Sequence, residues 1–153
     1  MRQPIRTARG PGAARGFTLI ELIVAMIIIG ILTAIAIPNY TAYIQRSNRA
    51  EARSTLLEAA GWMERWRTER GRYDDPANVG NPPPGFPFAQ VPAVGTAKYT
   101  VVVAAPDAVT YTITATAAGV MAGDVCTTLV INQTGQRTFT TGGGGTQEIC
   151  WGR

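Results

Sequence analysis

Residues 17–37 constrain this chain more than any other stretch, because these 21 residues carry a single charge, Glu21. About 20 apolar helical residues cross a bilayer core of about 30 Å, so the run has membrane length. It is apolar on all sides, which suits lipid or the inside of a helical bundle rather than the surface of a globular domain. What lies beyond it is enough for one modest domain of roughly 115 residues.

The 16 residues before the run contain Arg2, Arg6, Arg9 and Arg15 and no acid, so they account for the whole net charge of +4. The remainder is balanced and gives no global reason to bind a polyanion. A secretory signal places its small-residue cleavage site after the apolar core, whereas the small residue Gly16 precedes it here. Cutting at Gly16 would leave the hydrophobic helix on the mature chain.

The chain has no histidine. That removes the commonest general base, the usual zinc ligand and every triad built on imidazole, so an enzyme reading starts from little, and no cofactor is implied. Its two cysteines, Cys126 and Cys150, are too few for a structural zinc site and too far apart for a C-x-x-C motif. If the C-terminal half lies outside the cytoplasm, a disulfide is the natural reading.

From Phe17 the pattern predicts helix to about Arg70, with Pro38 expected to kink it because proline lacks an N–H. After Pro38 the pattern turns amphipathic. Tyr40, Tyr43, Ile44, Ala50, Leu57 and Ala60 recur at helical spacings, with Arg46, Arg49 and Arg53 on another face, so this half should lie against a folded domain through the first set. Gly71 reads as the stop, and residues 74–95, with six prolines, read as a long loop. Residues 99–105 and 109–117 have strand character around a Pro106-Asp107 turn, with Tyr111, Ile113 and Ala115 alternating against threonines. Residues 127–132 and 136–140 read as two more strands about Gln133-Thr134-Gly135, and residues 142–145 as a mobile loop. The expected fold class is α+β: a long N-terminal helix, transmembrane in its first half and amphipathic in its second, packed on an antiparallel sheet of about four strands.

An isolated carboxylate near the start of an apolar helix costs about 2.5 to 3.5 kcal/mol at the bilayer centre. Glu21 therefore either finds a cationic partner or reaches the interface from the helix end. The run Gly16-Phe17-Thr18-Leu19-Ile20-Glu21, followed by the apolar block and Pro38, resembles the prepilin motif of type IV pilins and related pseudopilins. The resemblance implies cleavage between Gly16 and Phe17 by a membrane peptidase, N-methylation of Phe17 by the same enzyme, and an assembly role for Glu21 opposite the N-terminal amine of a neighbouring subunit. Cys126 and Cys150, together with residues 43–52, resemble the disulfide-closed type IVa pilins, most of all the PilE-like minor pilins. That likeness implies a Cys126–Cys150 bridge closing about 25 residues and contributing roughly 2 to 4 kcal/mol.

The implied organisation is a cleaved leader at 1–16, a transmembrane and filament-core helix at 17–37, and a pilin globular domain at 38–153. The implied partners are other pilin subunits, the prepilin peptidase, the inner-membrane assembly machinery, and membrane lipid before assembly. The implied location is the inner membrane, single-pass with a periplasmic C-terminal domain, then an extracellular pilus serving motility or adhesion. Two alternatives share these features: a pseudopilin of a type II secretion system, against which the cysteine pair speaks, and a DNA-binding competence pilin. For the latter, Arg65, Arg67, Arg70 and Arg72 interleave with Trp62, Trp66 and Tyr73, as in phosphate pairing and base stacking. Glu64 and Glu69 sit among them, so a solvated face with i,i+3 ion pairs is preferred and DNA is not the favoured partner. Asn39 and Asn132 match the short glycosylation acceptor pattern, which carries little weight alone.

Overall fold

The computed structural model describes residues 16–152; the predicted leader lies almost wholly outside them. One helix, α1, spans Leu19–Arg70 and stays helical through Gly30 and Pro38. The chain divides into two compact units, Met1–Tyr40 and Thr41–Arg153.

In the first unit every described side chain is exposed. Three polar groups of this apolar stretch bond to their own helix. The Thr18 hydroxyl accepts from the Glu21 N–H at 3.3 Å, Thr33 donates to the Ile29 carbonyl at 2.7 Å, and the Asn39 amide donates to the Ile35 carbonyl at 3.1 Å. Satisfying polar groups locally is the condition for placing them in a medium without water.

In the second unit α1 ends where expected. Gly71 takes a positive φ of 74° and its N–H closes on the Arg67 carbonyl at 2.7 Å, a helix stop that glycine makes without steric cost. The strands follow as a meander in sequence order: β1 (Gln90–Val91), β2 (Tyr99–Ala104), β3 (Thr112–Ala117), β4 (Cys126–Asn132) and β5 (Arg137–Thr141), each antiparallel to the next. The sheet thus has five strands rather than about four, because two residues of the proline-rich segment pair with β2. That segment is also tied internally, the Asp75 N–H donating to the Asn81 carbonyl at 2.9 Å, and just before it the Tyr73 N–H donates to the Ala108 carbonyl at 3.0 Å.

β3 starts three residues later than the apolar pattern predicts. The Asp107 carboxylate accepts from the N–H groups of Val109 and Thr110 at 2.8 and 2.7 Å, which holds those residues in the turn. Register places Val103 beside Ile113 and Ile113 beside Ile131 on the inner face, and Thr100, Thr116, Thr128 and Thr140 in one row on the outer face. A short helix, α2 (Gln147–Trp151), follows the glycine-rich loop and is capped by the Thr146 hydroxyl, which accepts from the Ile149 N–H.

The core forms between the inner sheet face and one stripe of α1: Ala52, Leu56, Ala59 and Met63 are fully buried among Tyr99, Val101, Ile113, Ala115 and Leu129. This corrects the stripe read from the sequence. Tyr40, Tyr43 and Leu57 are exposed, as is Ala50, whereas Arg49, assigned to another face, is buried. The periodicity was present, but several stripes of α1 satisfy it; the one that faces inward carries Ala52, Leu56, Ala59 and Met63, with Arg49 bonded to Asp124 at its start.

Candidate assembly helix and the disulfide-closed region

Gly16 and Phe17 precede α1, Glu21 lies in its first turn, and Pro38 lies inside it. All four belong to the first unit, and all four are exposed. Thr18 and Glu21 stand as Ncap and N3, the spacing of a capping box, and a carboxylate in the first turn also complements the positive end of the helix dipole. The sequence reading offered Glu21 a cationic partner or a reach to the interface from the helix end; the T-x-x-E spacing is the signal for this local role.

The apolar surface here is extensive. An 18-residue window of α1 reaches a mean hydropathy of 2.8 with none of it buried. Leu19, Met26 and Ile29 exceed 60 % exposure. A helix that is apolar all round suits lipid or the inside of a bundle with other helices.

The second unit closes on itself. Cys126 at the start of β4 and Cys150 in α2 form the expected disulfide, and both are fully buried. Trp151 follows, its indole N–H donating to the Thr138 carbonyl at 2.7 Å with the Arg137 guanidinium over its ring. Asp124, two residues before Cys126, joins this region to α1. Its carboxylate accepts from Arg49 Nε and Nη2 at 2.8 Å each and from the Cys126 N–H at 3.2 Å. Beside it, Asn48 donates to the Met121 sulfur and accepts from Lys98, whose ammonium also lies 3.6 Å from Glu51. Gly119 makes the close approach: at φ 53°, a Cβ there would stand 2.8 Å from the Ala97 carbonyl oxygen. Arg49 and Asp124 are 75 residues apart, and no local pattern marks them as partners.

The basic and aromatic stretch at the end of α1 is a solvated face, with Glu64, Arg65, Arg67, Glu69 and Arg70 all exposed, but its pairing differs from the expected one. Its cations do not form the expected i,i+3 pairs. Arg67 donates to the Tyr73 hydroxyl at 3.0 Å and covers its ring, Arg70 stacks on Trp66, and Arg72 is bidentate on Asp74. Glu64 instead accepts from the hydroxyls of Tyr73 and Tyr111 at 2.8 and 3.3 Å. Burial, and then the Glu64 charge, push the Tyr111 hydroxyl pKa up. The Arg72 guanidinium, with help from the Gly80 N–H, holds the Asp74 carboxyl down at about 2 against an ordinary value near 3.9. Among the described residues no group of three or more His, Cys, Asp or Glu could hold a metal ion.

Residues 12–37 match the prokaryotic N-terminal methylation motif, and residues 38–130 match the family described as "Type IV minor pilin ComP, DNA uptake sequence receptor". The chain is 43 % identical over 74 residues to the type IV major pilin protein PilA of Myxococcus xanthus, covering 48 % of this chain and 34 % of that one. It is 42 % identical over 57 residues to the fimbrial protein EcpC of Eikenella corrodens, covering 37 % of each. Over 59 residues it is 30 % identical to the type II secretion system core protein G of Klebsiella pneumoniae, covering 39 % of this chain and 42 % of that one. The chain thus spans between 34 % and 42 % of the length of these curated relatives. Among solved structures, the non-core minor pilin PilV of Neisseria meningitidis superposes with a TM-score of 0.49 at 19 % identity, over 68 % of this chain and 94 % of that one.

Proposed function

The chain belongs to the type IV minor pilin family, a structural subunit and not an enzyme, and from that premise we propose that it is held in the inner membrane by the start of α1 and then packed by the same helix into an extracellular pilus. In this reading residues 1–16 are a leader removed between Gly16 and Phe17, Phe17 is N-methylated, residues 17–37 form the span and later the filament core with a bend at Pro38, and residues 38–153 form the periplasmic, then extracellular, domain. The observation that carries it is the uninterrupted exposure of apolar side chains along 17–37 beside a second unit that buries its own core.

Glu21 supplies the specificity of assembly. A carboxylate on an apolar helix is unfavourable by roughly 2.5 to 3.5 kcal/mol in lipid, and the amine of a neighbouring subunit's Phe17 offsets that only in the filament. Glu21→Ala should therefore be processed, inserted and oxidised normally, yet be poorly recovered in sheared pili. Recovery at the wild-type level would reduce Glu21 to its capping role in the first turn. Replacing Gly16 by a bulky residue should leave uncleaved precursor in the membrane, and an N-terminus at Phe17 in that variant would contradict the cleavage assignment.

A second reading, capture of DNA during uptake, draws support from the family description. Against it, Arg67, Arg70 and Arg72 are engaged within the chain. A role as a type II secretion pseudopilin draws on the similarity to core protein G, and the Cys126–Cys150 bridge weighs against it. Motility or adhesion is the expected output of the filament.

A further inference from the structure

The two edges of the sheet are finished differently. β1 is two residues long, Pro92 follows it, and the Gln90 amide bonds back to the carbonyls of Pro92 and Gly95 at 3.1 Å each. Shortness and proline are two usual means of closing an edge against further pairing. β5 has five residues, Arg137–Thr141, with no proline or lysine, and all but Phe139 are exposed. Three bonds show which way its backbone points. The Gln136 carbonyl accepts from the Asn132 N–H at 3.2 Å, the Thr140 N–H donates to the Thr128 hydroxyl at 3.2 Å, and the Gly142 N–H donates to the Val125 carbonyl at 3.3 Å. Even-numbered residues therefore turn their backbone groups towards β4, and because these groups alternate, Arg137, Phe139 and Thr141 turn theirs away. The outward carbonyl of Arg137 accepts from the Gln147 amide at 3.4 Å. Among the described residues, the outward N–H and carbonyl of Phe139 have no hydrogen-bond partner.

From this open edge we infer that β5 pairs with β5 of a second copy of the chain, antiparallel about a two-fold axis at Phe139. In that register the two Phe139 residues exchange N–H···O bonds, Arg137 stands opposite Thr141 of the second copy, and Thr138 stands opposite its Thr140. Self-complementarity selects this occupant. All five residues are paired, no charge meets a like charge, and opposed phenylalanines and opposed threonines are favourable cross-strand pairs. A register centred on Arg137 would instead set two guanidinium groups against each other. The outer face agrees: Thr100, Thr116, Thr128 and Thr140 form one row, and Thr138 of the second copy continues it without a charge or a long side chain that pairing would have to immobilise. A pairing of five residues is small beside a stable interface, so it acts where copies are concentrated, as in a membrane or a pilus. That setting rests on the function proposed above; the pairing itself does not, and it is separate from packing through residues 17–37.

The test uses the full chain in mild detergent, with dissociation constants taken from sedimentation. In Thr138→Lys/Thr140→Glu the proposed axis brings each introduced ammonium opposite an introduced carboxylate of the other copy, twice per pair. In Thr138→Lys/Thr140→Lys the same positions oppose like charges. Both variants lose the Thr140 hydroxyl and its bonds to Thr127 and Thr128, so local damage is common to them. The charge-paired variant should associate about tenfold more tightly than the like-charged one, and salt should narrow the gap. In the unchanged chain, hydrogen exchange of the Phe139 amide should slow as concentration rises, because that N–H is bonded only in the pair. Association through residues 17–37 alone would leave the two variants equal and the Phe139 amide unaffected by concentration, and either result would overturn the inference. So would a Phe139 amide protected at every concentration, since the edge would then be closed within one chain. If the variants fail to form the Cys126–Cys150 disulfide, the exchange measurement on the unchanged chain still decides. Failure here leaves the pilus reading standing, which is judged separately by the Gly16 and Glu21 variants.

Discussion

Asp124→Ala should be among the most damaging single changes available to the second unit. The carboxylate it removes accepts two hydrogen bonds of 2.8 Å from Arg49. The two side chains are only 0 % and 8 % exposed. A pair with that geometry on the surface would contribute about 1 kcal/mol or less. Here the substitution strands a guanidinium inside the protein, and breaking a buried pair from one side costs about 3 to 5 kcal/mol. The Cys126 N–H also loses an acceptor at the first residue of β4. Against a total stability of roughly 5 to 15 kcal/mol, this is a large fraction. For a domain near 100 residues, 1 kcal/mol moves the melting temperature by about 4 to 8 °C, so a fall of more than about 12 °C is expected. The assay is urea unfolding for the free energy and a thermal scan for the melting temperature, both followed by tryptophan fluorescence, of a soluble fragment starting at Thr41, where the second unit begins. Replacing both partners, Arg49→Met with Asp124→Leu, removes the stranded charge and should recover all but about 1 kcal/mol. A cost below about 1 kcal/mol for Asp124→Ala would mean that water already screens the pair. A double variant as unstable as the single one would mean that the loss is packing rather than an unpaired charge.

Three further outcomes are expected from the same fragment. Leu56→Ala should cost about 2 to 5 kcal/mol and Leu57→Ala less than about 0.5, since Leu56 is fully buried and Leu57 is 44 % exposed; the reverse order in denaturant midpoints would restore the stripe read from the sequence. Reducing Cys126–Cys150, which closes a separation of 24 residues, should lower stability by about 3 kcal/mol in paired melts with and without reductant. Asp74 should give an acid-sensitive contribution. Because its folded pKa, about 2, lies below the unfolded value near 3.9, the stabilisation is complete above that value and is lost as pH falls from about 4 towards 2. Asp74→Asn should flatten the stability profile in that window, and an unchanged acid limb would contradict the Arg72 pairing.

The elements defined by local chemistry were legible in the sequence. The apolar run, the stop at Gly71, the turns at Asp107 and Gly135, and the alternation of Tyr111, Ile113 and Ala115 each depend on residues within a few positions of one another. The cysteine pair, too, bonded as its resemblance implied. What the sequence left open depended on distance along the chain. Which stripe of α1 is buried depended on where the sheet meets the helix, and nothing within a helical turn of Arg49 distinguishes an arginine that pairs inside from one that faces water. β1 exists because Gln90 and Val91 fall opposite Tyr99 and Thr100, although two residues have no strand signature of their own. Arg67, Arg70 and Arg72 found Tyr73, Trp66 and Asp74 rather than helical carboxylates, choices among nearby groups that spacing alone does not rank. Sequence alone determined that the first half of α1 is a membrane-length apolar helix, since no arrangement of the remaining residues changes the hydropathy of 17–37. Only the tertiary structure decided which charges are buried, because the cost of burying a charge is met by whatever partner the packed sheet and loops deliver to it.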